Sequence, residues 1–506
     1  MRRLKNIYLH VGGDKAGSTT IQRIFDANRA KLDEAGYYYA KDVSHYLLAG
    51  FFSHHPMLLD AYRVQGIRYD EESVKRMACE YVDDLISDLR SGEYHTLILS
   101  YEGFLGLTEE EMHSLKHFLL EWSDNVSVIY YLRPHLSYAT SAMSQRVRLG
   151  ETAWGAHPPI TIYMPRLKIL KNVFGRSALS LRRFSRADLL GGDVLQDFTA
   201  QINMPKTLVG NLDVTVPKAN ESLAEEAILI GSAIARLLKP VSGPIGADFN
   251  KIFCPVLERI KGRRYRLSKL QIEVIQRATK RDIKGVSREF GIDLGMEKPN
   301  PSTSRALSGQ AAASLARLLV EQVLPEQKLP PELPVWPAEA SVVKAAQGRV
   351  TVDLGAGFNL KSDGLYDLIV AVENSSKCWW GGDIAPVKLC YHWFDQKGSR
   401  VIFDGISTEF PDERIGPGEM VKLKMRIKMP DSSGTYKLQI TLLQEYFEWF
   451  ERIGLETSWL SVDYSEDRDL SFKRLALEPR RLWLRYIFYN YRILCYFISE
   501  VFSNRK

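Results

Sequence analysis

Four short runs in the first half of the chain are dominated by apolar residues throughout rather than at alternate positions: IYLHV (7–11), TLILSY (96–101), VSVIYYL (126–132) and ALSLRRF (178–184). A strand that is apolar on both faces needs cover on both. Amphipathic helical patterns at 17–31, 72–91, 108–122 and 136–149 lie between the runs and supply it. Strands that alternate with helices join through crossovers, so the expectation is an α/β fold, a P-loop-type parallel sheet with helices on both faces. Residues 220–295 continue as basic helices. Their charges read either as a solvated face or as a groove for an anionic substrate.

The pattern changes after residue 295. Residues 296–345 hold MEKPNPSTSRALSGQ and EQKLPPELPVWPAEAS around one short helical stretch, and their proline and small residues read as a linker. From 346 to 465 the period becomes two. VKLKMRIKM (421–429) puts Val421, Leu423, Met425, Ile427 and Met429 on one face and Lys422, Lys424, Arg426 and Lys428 on the other. Turn signals such as GPGE and DSSG separate such runs, which points to a C-terminal antiparallel β-sandwich. Residues 466–506 include RRLWLRYIFYNYRILCYFISEVF, an amphipathic, aromatic and basic C-terminal helix. Two readings stay open for it: contact with the inner membrane surface through 480–502, or packing against protein. At 506 residues the chain is too long for one ordinary core, so 1–295 and 346–465 are taken as separate domains.

The net charge of +6 suits anionic ligands or lipid surfaces and falls short of a nucleic-acid binder, so no nucleic-acid partner is expected. The five cysteines are scattered, without disulfide or zinc spacing. No apolar stretch approaches the roughly 18 residues of a membrane span, and the run at the N-terminus is short for a signal sequence. The expectation is a cytoplasmic protein, either free or peripheral at the cytoplasmic face of the inner membrane.

The first apolar run delivers the chain into HVGGDKAGSTTIQ (10–22) and then into a helical pattern. Free N–H groups and the positive end of a helix dipole converge at such a junction, which makes an anion site. Gly12, Gly13 and Gly17 permit close backbone approach, and Ser18, Thr19 and Thr20 bring hydroxyls. In a Walker A loop the lysine follows the last glycine. Here Ser18 does, and Lys15 sits two residues before Gly17. VIYYLR ends in arginine, with no acidic strand end for magnesium. This is not a standard nucleoside-triphosphatase loop.

With these features the chain resembles, over about residues 4–295, the superfamily of sulfotransferases that use PAPS, 3′-phosphoadenosine-5′-phosphosulfate. HVGGDKAGSTTIQ is similar to the 5′-phosphosulfate loop of bacterial carbohydrate sulfotransferases. VIYYLRPHLSYATSAMSQ is similar to their 3′-phosphate segment, a strand-end arginine with a serine eight residues on. LSLRRFSRADLLGGDVLQDF and NESLAEEA also look like bacterial members. The resemblance implies that Gly13, Asp14, Lys15, Ala16, Gly17, Ser18, Thr19 and Thr20 hold the 5′ end of the donor, and that Arg133 and Ser141 hold the 3′-phosphate. It implies that Lys15 stabilises charge on the bridging oxygen, that PAP is the product, and that no metal is needed. Asp14 stands where relatives often have histidine, which mildly favours an inactive domain.

An acceptor hydroxyl needs a base. LSYEGF (99–104) puts Glu102 at a strand's carboxyl edge, where open α/β sheets bind ligands, and glycosaminoglycan-type sulfotransferases look similar there. A helix-cap neighbour or a salt bridge to Arg133 are the plainer readings of Glu102. The cytosolic branch uses histidine, which brings in His10, His45, His54 and His55, though His10 reads first as a core residue. Residues 346–464 are similar to a β-domain attached to bacterial glycosyltransferases, which implies glycan binding. Trp379, Trp380, Trp393 and Trp449 are its candidates for stacking on sugar rings, with core packing the ordinary alternative. The leading expectation is a sulfotransferase acting from PAPS on a hydroxyl of a bacterial cell-surface glycan or glycolipid precursor. The rivals are a P-loop kinase of a sugar or lipid and a catalytically inactive glycan-binding or assembly protein.

Overall fold

The computed structural model describes residues 3–13, 15–42, 44–53, 70–154, 159–215, 222–238, 246–295, 301, 306–324, 342–355, 359–360, 365–382, 384–402, 404–411, 414–464 and 470–475. The chain divides into two compact units, Met1–Trp336 and Pro337–Lys506.

In the first unit the four apolar runs are strands β1 (Asn6–His10), β3 (Thr96–Ser100), β4 (Val126–Leu132) and β5 (Leu179–Arg183), joined by a fifth, β2 (Tyr37–Tyr39). All pair in parallel in the order β2-β3-β1-β4-β5. Alternate strand residues feed two separate cores. Leu9, Leu97, Leu99, Val128 and Tyr130 join one, and Tyr8, Ile98, Ile129 and Tyr131 join the other. Both faces are therefore buried, which is why these strands carry no polar alternation.

The early helices are α1 (Ser18–Ala27), α2 (Arg29–Glu34), α3 (Tyr46–Phe52) and α4 (Glu71–Ser91). The helix expected over 17–31 breaks at Asn28, whose side-chain amide turns away to the carbonyls of Ile24, at 2.8 Å, and Asp213, at 2.9 Å. There follow α5 (Glu109–Leu120), fixed by a Thr108–Glu111 capping box, α6 (His135–Arg148) and α7 (Met164–Phe174). Then come α8 (Val194–Gln201), α9 (Lys206–Asn211), α10 (Glu225–Leu238), α11 (Gly246–Leu257) and α12 (Lys269–Phe290). The last, α13 (Gly309–Val323), lies inside the stretch read as a linker. It packs on α10 and buries Ala312, Ala313, Ala316 and Val320.

The second unit is antiparallel. One sheet has β14 (Met420–Ile427), β8 (Tyr366–Asn374) and β6 (Gly348–Val352) in that order, with β7 (Asn359–Leu360) also on β8. The larger sheet runs β11 (Arg400–Ile402), β10 (Val387–Phe394), β15 (Gly434–Gln444), β17 (Ser458–Tyr464) and β18 (Leu470–Arg474). It also takes β12 (Thr408–Glu409) and β16 (Glu448–Trp449), and a ribbon pairs β9 (Trp380–Gly381) with β13 (Arg414–Ile415). Val370, Met425 and Ile427 of the first sheet share one core with Leu389, Trp393, Ile440 and Leu460 of the second, the face-to-face packing of a sandwich.

Among the described residues no helix is long and apolar enough to cross a membrane. The basic aromatic stretch 480–502 lies outside the described residues.

Candidate functional site

At the carboxyl edge of the parallel sheet β1 lies between β3 and β4, so the segments that leave these three strands are neighbours. The first is the glycine-rich loop. Tyr131 donates its N–H to the Gly12 carbonyl at 3.1 Å, so the loop starts by extending the β1–β4 ladder. A Cβ on Gly13 would lie 2.0 Å from the Tyr131 carbonyl oxygen, a contact only glycine permits. The backbone then doubles back. Lys15 has φ 61° and Gly17 φ 84°, both left-handed, and Ala16 donates its N–H to the Gly13 carbonyl at 2.8 Å. That bond closes the loop into a tight turn.

The loop ends as the N-cap of α1. Among the described residues no side chain caps this helix, and no acidic residue stands in its first turn. Its first residue, Ser18, is 2% exposed, and its Oγ has no hydrogen-bond partner among the described residues. Thr19 is half-buried and Thr20 exposed. Asp14 lies outside the described residues, as do His54 and His55.

The segment after β3 brings Glu102, half-buried at the start of a single 3₁₀ turn. A Cβ on Gly12, whose φ is 72°, would stand 2.4 Å from Glu102 Cγ and 3.0 Å from Ser18 Oγ. The carboxylate-bearing side chain and the buried hydroxyl therefore both flank this glycine. Gln22, one helical turn past Ser18, donates from Nε2 to Glu102 Oε2 at 3.4 Å and to Ser100 Oγ at 3.3 Å. Ser100 Oγ is also 2.7 Å from His10 Nδ1. Burial pushes the His10 imidazole down to about 3, so it is neutral and part of the support beneath Glu102. His45 is similar. Ser100 donates its N–H to His45 Nδ1 at 2.7 Å, His45 Nε2 faces the Ala40 carbonyl at 3.1 Å, and burial takes the ring down to about 3.

The segment after β4 brings Arg133 and helix α6. The guanidinium donates from Nη1 to the carbonyl of Lys15, and from Nε to Ser137 Oγ at 2.9 Å. Its backbone is held by Tyr163, whose hydroxyl donates to the Arg133 carbonyl at 2.7 Å. Its charge lies 5.6 Å over the Phe184 ring, and Phe184 and Val194 flank Gly17. Ser141, half-buried, follows Ser137 by one turn of α6 and shares its face. Lys15 and Arg133 are thus joined directly, and Glu102, Gly12 and Ser18 form a second contact group on the same loop. Sequence reading missed Gln22 and Ser137. A polar residue between the buried Ile21 and Ile24 marks the first, and the i, i+4, i+8 spacing of Arg133, Ser137 and Ser141 marks the second.

Beside this edge, Arg182 and Tyr131 converge on Asp197. Arg182 Nη2 is 2.6 Å from Oδ1 and the Tyr131 hydroxyl 2.9 Å from Oδ2. Burial pushes this carboxyl up, but bonds from Arg182, the Leu190 N–H and Tyr131 more than offset it and hold it below the usual range. Among the described residues no three metal-binding side chains converge. In the second unit Trp380, Trp393 and Trp449 are core residues, whereas Trp379 is 46% exposed.

Fold and loop define an α/β protein with a glycine-rich turn at the carboxyl edge of a parallel sheet. No protein-family model matches the chain, and no curated protein sequence matches it. Among solved structures it is similar to a chain from the PezAT chromosomal toxin–antitoxin system of Streptococcus pneumoniae, at 17% identity over 41% of this chain and 86% of that one, TM-score 0.19. It is also similar to a protein from Archaeoglobus fulgidus, at 12% identity over 25% of this chain and 88% of that one, TM-score 0.12. A β-glucosidase from Kluyveromyces marxianus gives 11% identity over 81% and 35%, TM-score 0.16. Superpositions this poor carry no argument about fold or function.

Proposed function

We propose that the first unit is a PAPS-dependent sulfotransferase acting on a hydroxyl of a glycan or glycolipid. The observation that carries this reading is the bond from Arg133 to the Lys15 carbonyl. It sets two segments that are 118 residues apart in sequence, each of a type that binds phosphate, against one another at the sheet edge where open α/β folds take ligands. The buried Ser18 hydroxyl, without a partner among the described residues, stands at the start of α1 and fits a phosphate oxygen as its acceptor.

In this reading Ser18, Thr19 and the N–H groups at the start of α1 bind the 5′-phosphate, and Arg133 with Ser141 binds the 3′-phosphate. Bound PAPS supplies an activated sulfonyl group. Glu102, braced by Gln22, takes the proton of the acceptor hydroxyl as its oxygen bonds to sulfur. Lys15 balances the negative charge left on the phosphate oxygen when the bridging S–O bond breaks, and PAP is released. The products are the sulfated acceptor, PAP and a proton passed from Glu102 to water. The acceptor is drawn from cell-surface glycan or glycolipid precursors on the cytoplasmic side.

One observation favours a second reading. Glu102 and Ser18 both flank Gly12, and a carboxylate near the first helical hydroxyl is also how a magnesium–nucleotide site is built. A phosphotransferase would use the same pair to hold metal. Calorimetry on the full chain separates the two. PAP binding without magnesium, and weaker binding of ATP–magnesium, supports the sulfotransferase. Binding of ATP–magnesium with none of PAP overturns it.

A further inference from the structure

The second unit carries a charged row that the donor chemistry does not use. Lys422, Lys424, Arg426 and Lys428 all lie exposed on the outer face of β14 and the residue after it, while Met425 and Ile427 fill the core beneath. Among the described residues β14 pairs with β8 alone, so the row runs along a sheet edge. Alternate strand residues repeat at about 7 Å, which makes a comb of four cations roughly 20 Å long. Its acidic answers are few. Asp367 lies 4.0 Å from Lys424 and 3.5 Å from Arg426, Asp431 lies 3.5 Å from Lys428, and Lys422 has no ion pair among the described residues.

A second feature stands at the head of the row. The exposed Trp379 ring is covered on one side by the Arg414 guanidinium, 4.4 Å from its centroid. A Cβ on Gly416, in the turn that leads into β14, would lie 3.1 Å from that ring. An aromatic platform and its cation thus pack on the turn that precedes β14, where the Glu419 carboxylate is turned back to accept the Gly416 N–H. Beside Lys422 and Lys424 on the outer face lie Ala371 and Ile369, their register partners on β8. Edge strands commonly carry lysine to discourage pairing with other strands. One or two charges meet that need, and it has no use for an exposed Trp–Arg pair.

We infer that this edge binds a linear anionic glycan, a sugar chain bearing carboxylate or sulfate groups, with Trp379 against a sugar ring and the β14 cations along the charged groups. A linear polymer is favoured over a lipid surface by the shape of the field. The row is one strand wide: β8 beside it carries no Lys or Arg, and its two carboxylates are already engaged, the buried Asp367 by Lys424 and Arg426 and Glu373 by Arg349, so a plane of headgroups would find no second row of cations. The inference stands on the second unit alone, so it and the donor reading fail separately.

The test is calorimetry of the full chain with heparin as the sulfated probe, alginate as the carboxylated probe and dextran as the neutral control. The variants are K422Q/K424Q/K428Q and, separately, W379A, each checked by its melting temperature and by unchanged affinity for PAP or ATP–magnesium, whichever the wild type binds. The expectation is that at least one anionic polymer binds and dextran does not. The triple variant should weaken binding at least tenfold and flatten the dependence of log Kd on log salt by about two units. W379A should weaken binding several-fold with the salt dependence unchanged. Neither anionic polymer binding, or equal affinity of the triple variant, overturns the inference. So does equally tight, equally Lys-dependent binding to phosphatidylglycerol vesicles or to single-stranded DNA.

Discussion

Replacing Ser18 by alanine should move stability and donor affinity in opposite directions. The hydroxyl is buried at the first position of α1, and its oxygen has no partner among the described residues. Leaving such a group unpaired costs about 1–3 kcal/mol, and alanine is also the better helix former. Ser18→Ala should therefore raise the stability of the free protein by about 1 kcal/mol, or roughly 2 °C in a unit of this size. With a phosphate in the loop the sign reverses. A hydrogen bond to a charged acceptor contributes about 1.5–3 kcal/mol, so the affinity for PAP should fall about 10- to 150-fold. At a ligand concentration 100 times the wild-type Kd, binding stabilises the wild type by about 2.7 kcal/mol. A variant weakened 100-fold would gain only about 0.4 kcal/mol under the same conditions. Thermal unfolding with increasing PAP should then show two crossing curves, the variant melting higher without ligand and lower with it. A variant clearly less stable without ligand would mean that Oγ has a structural partner. One that keeps the full PAP shift would mean that no phosphate sits at this oxygen. Either result refutes the reasoning.

Glu102→Gln should leave PAP affinity within about twofold and lower sulfonyl transfer by about 10²–10⁴, measured with radiolabelled PAPS and a panel of glycan acceptors. Lys15→Ala should lower transfer by about 10²–10³ at saturating donor. His10 and His45 are each held near 3 in the folded state against 6.5 when free, so the unfolded chain takes the proton first as the pH falls. Their contribution is full above pH 6.5 and declines toward about 3, by about 1.4 kcal/mol for each histidine at one unit below 6.5. Urea unfolding at pH 7.5 and 5.5 should show the loss, and His10→Asn should remove its share. Asp197→Ala strands Arg182 and the Tyr131 hydroxyl and should destabilise the first unit by about 3 kcal/mol in urea unfolding.

The fold class was legible because burial on both sheet faces leaves an unambiguous mark. VSVIYYL is β4 to the residue, and the other three runs match their strands within one residue at each end. β2 escaped because three tyrosines are too few for any period to show. The break between α1 and α2 was hidden because it depends on Asn28 reaching a carbonyl 185 residues away. Strand order is likewise set by contacts between distant segments, and no local pattern encodes that β1 lies between β3 and β4. In the site, the glycines and Lys15 announce themselves by composition. The support beneath Glu102 does not, because Gln22, Ser100 and His10 come from three elements and are ordinary residues in each.

Arg133 has two physical roles, and they bear on how its loss would read. Lys15 is not glycine, yet its φ is 61°, a conformation that costs an L-residue roughly 1–2 kcal/mol. The bond from Arg133 falls on the carbonyl of that same residue, so the guanidinium helps hold the strained turn as well as standing where a 3′-phosphate would arrive. Weaker PAP binding by Arg133→Ala would follow from either role. Adenosine 5′-phosphosulfate, which lacks the 3′-phosphate, separates them. If Arg133 acts through the 3′-phosphate, the substitution weakens PAP and leaves this shorter nucleotide unaffected. If it acts by shaping the loop around Lys15, both weaken by the same factor, and the case for a 3′-phosphate site at α6 then rests on Ser141 alone.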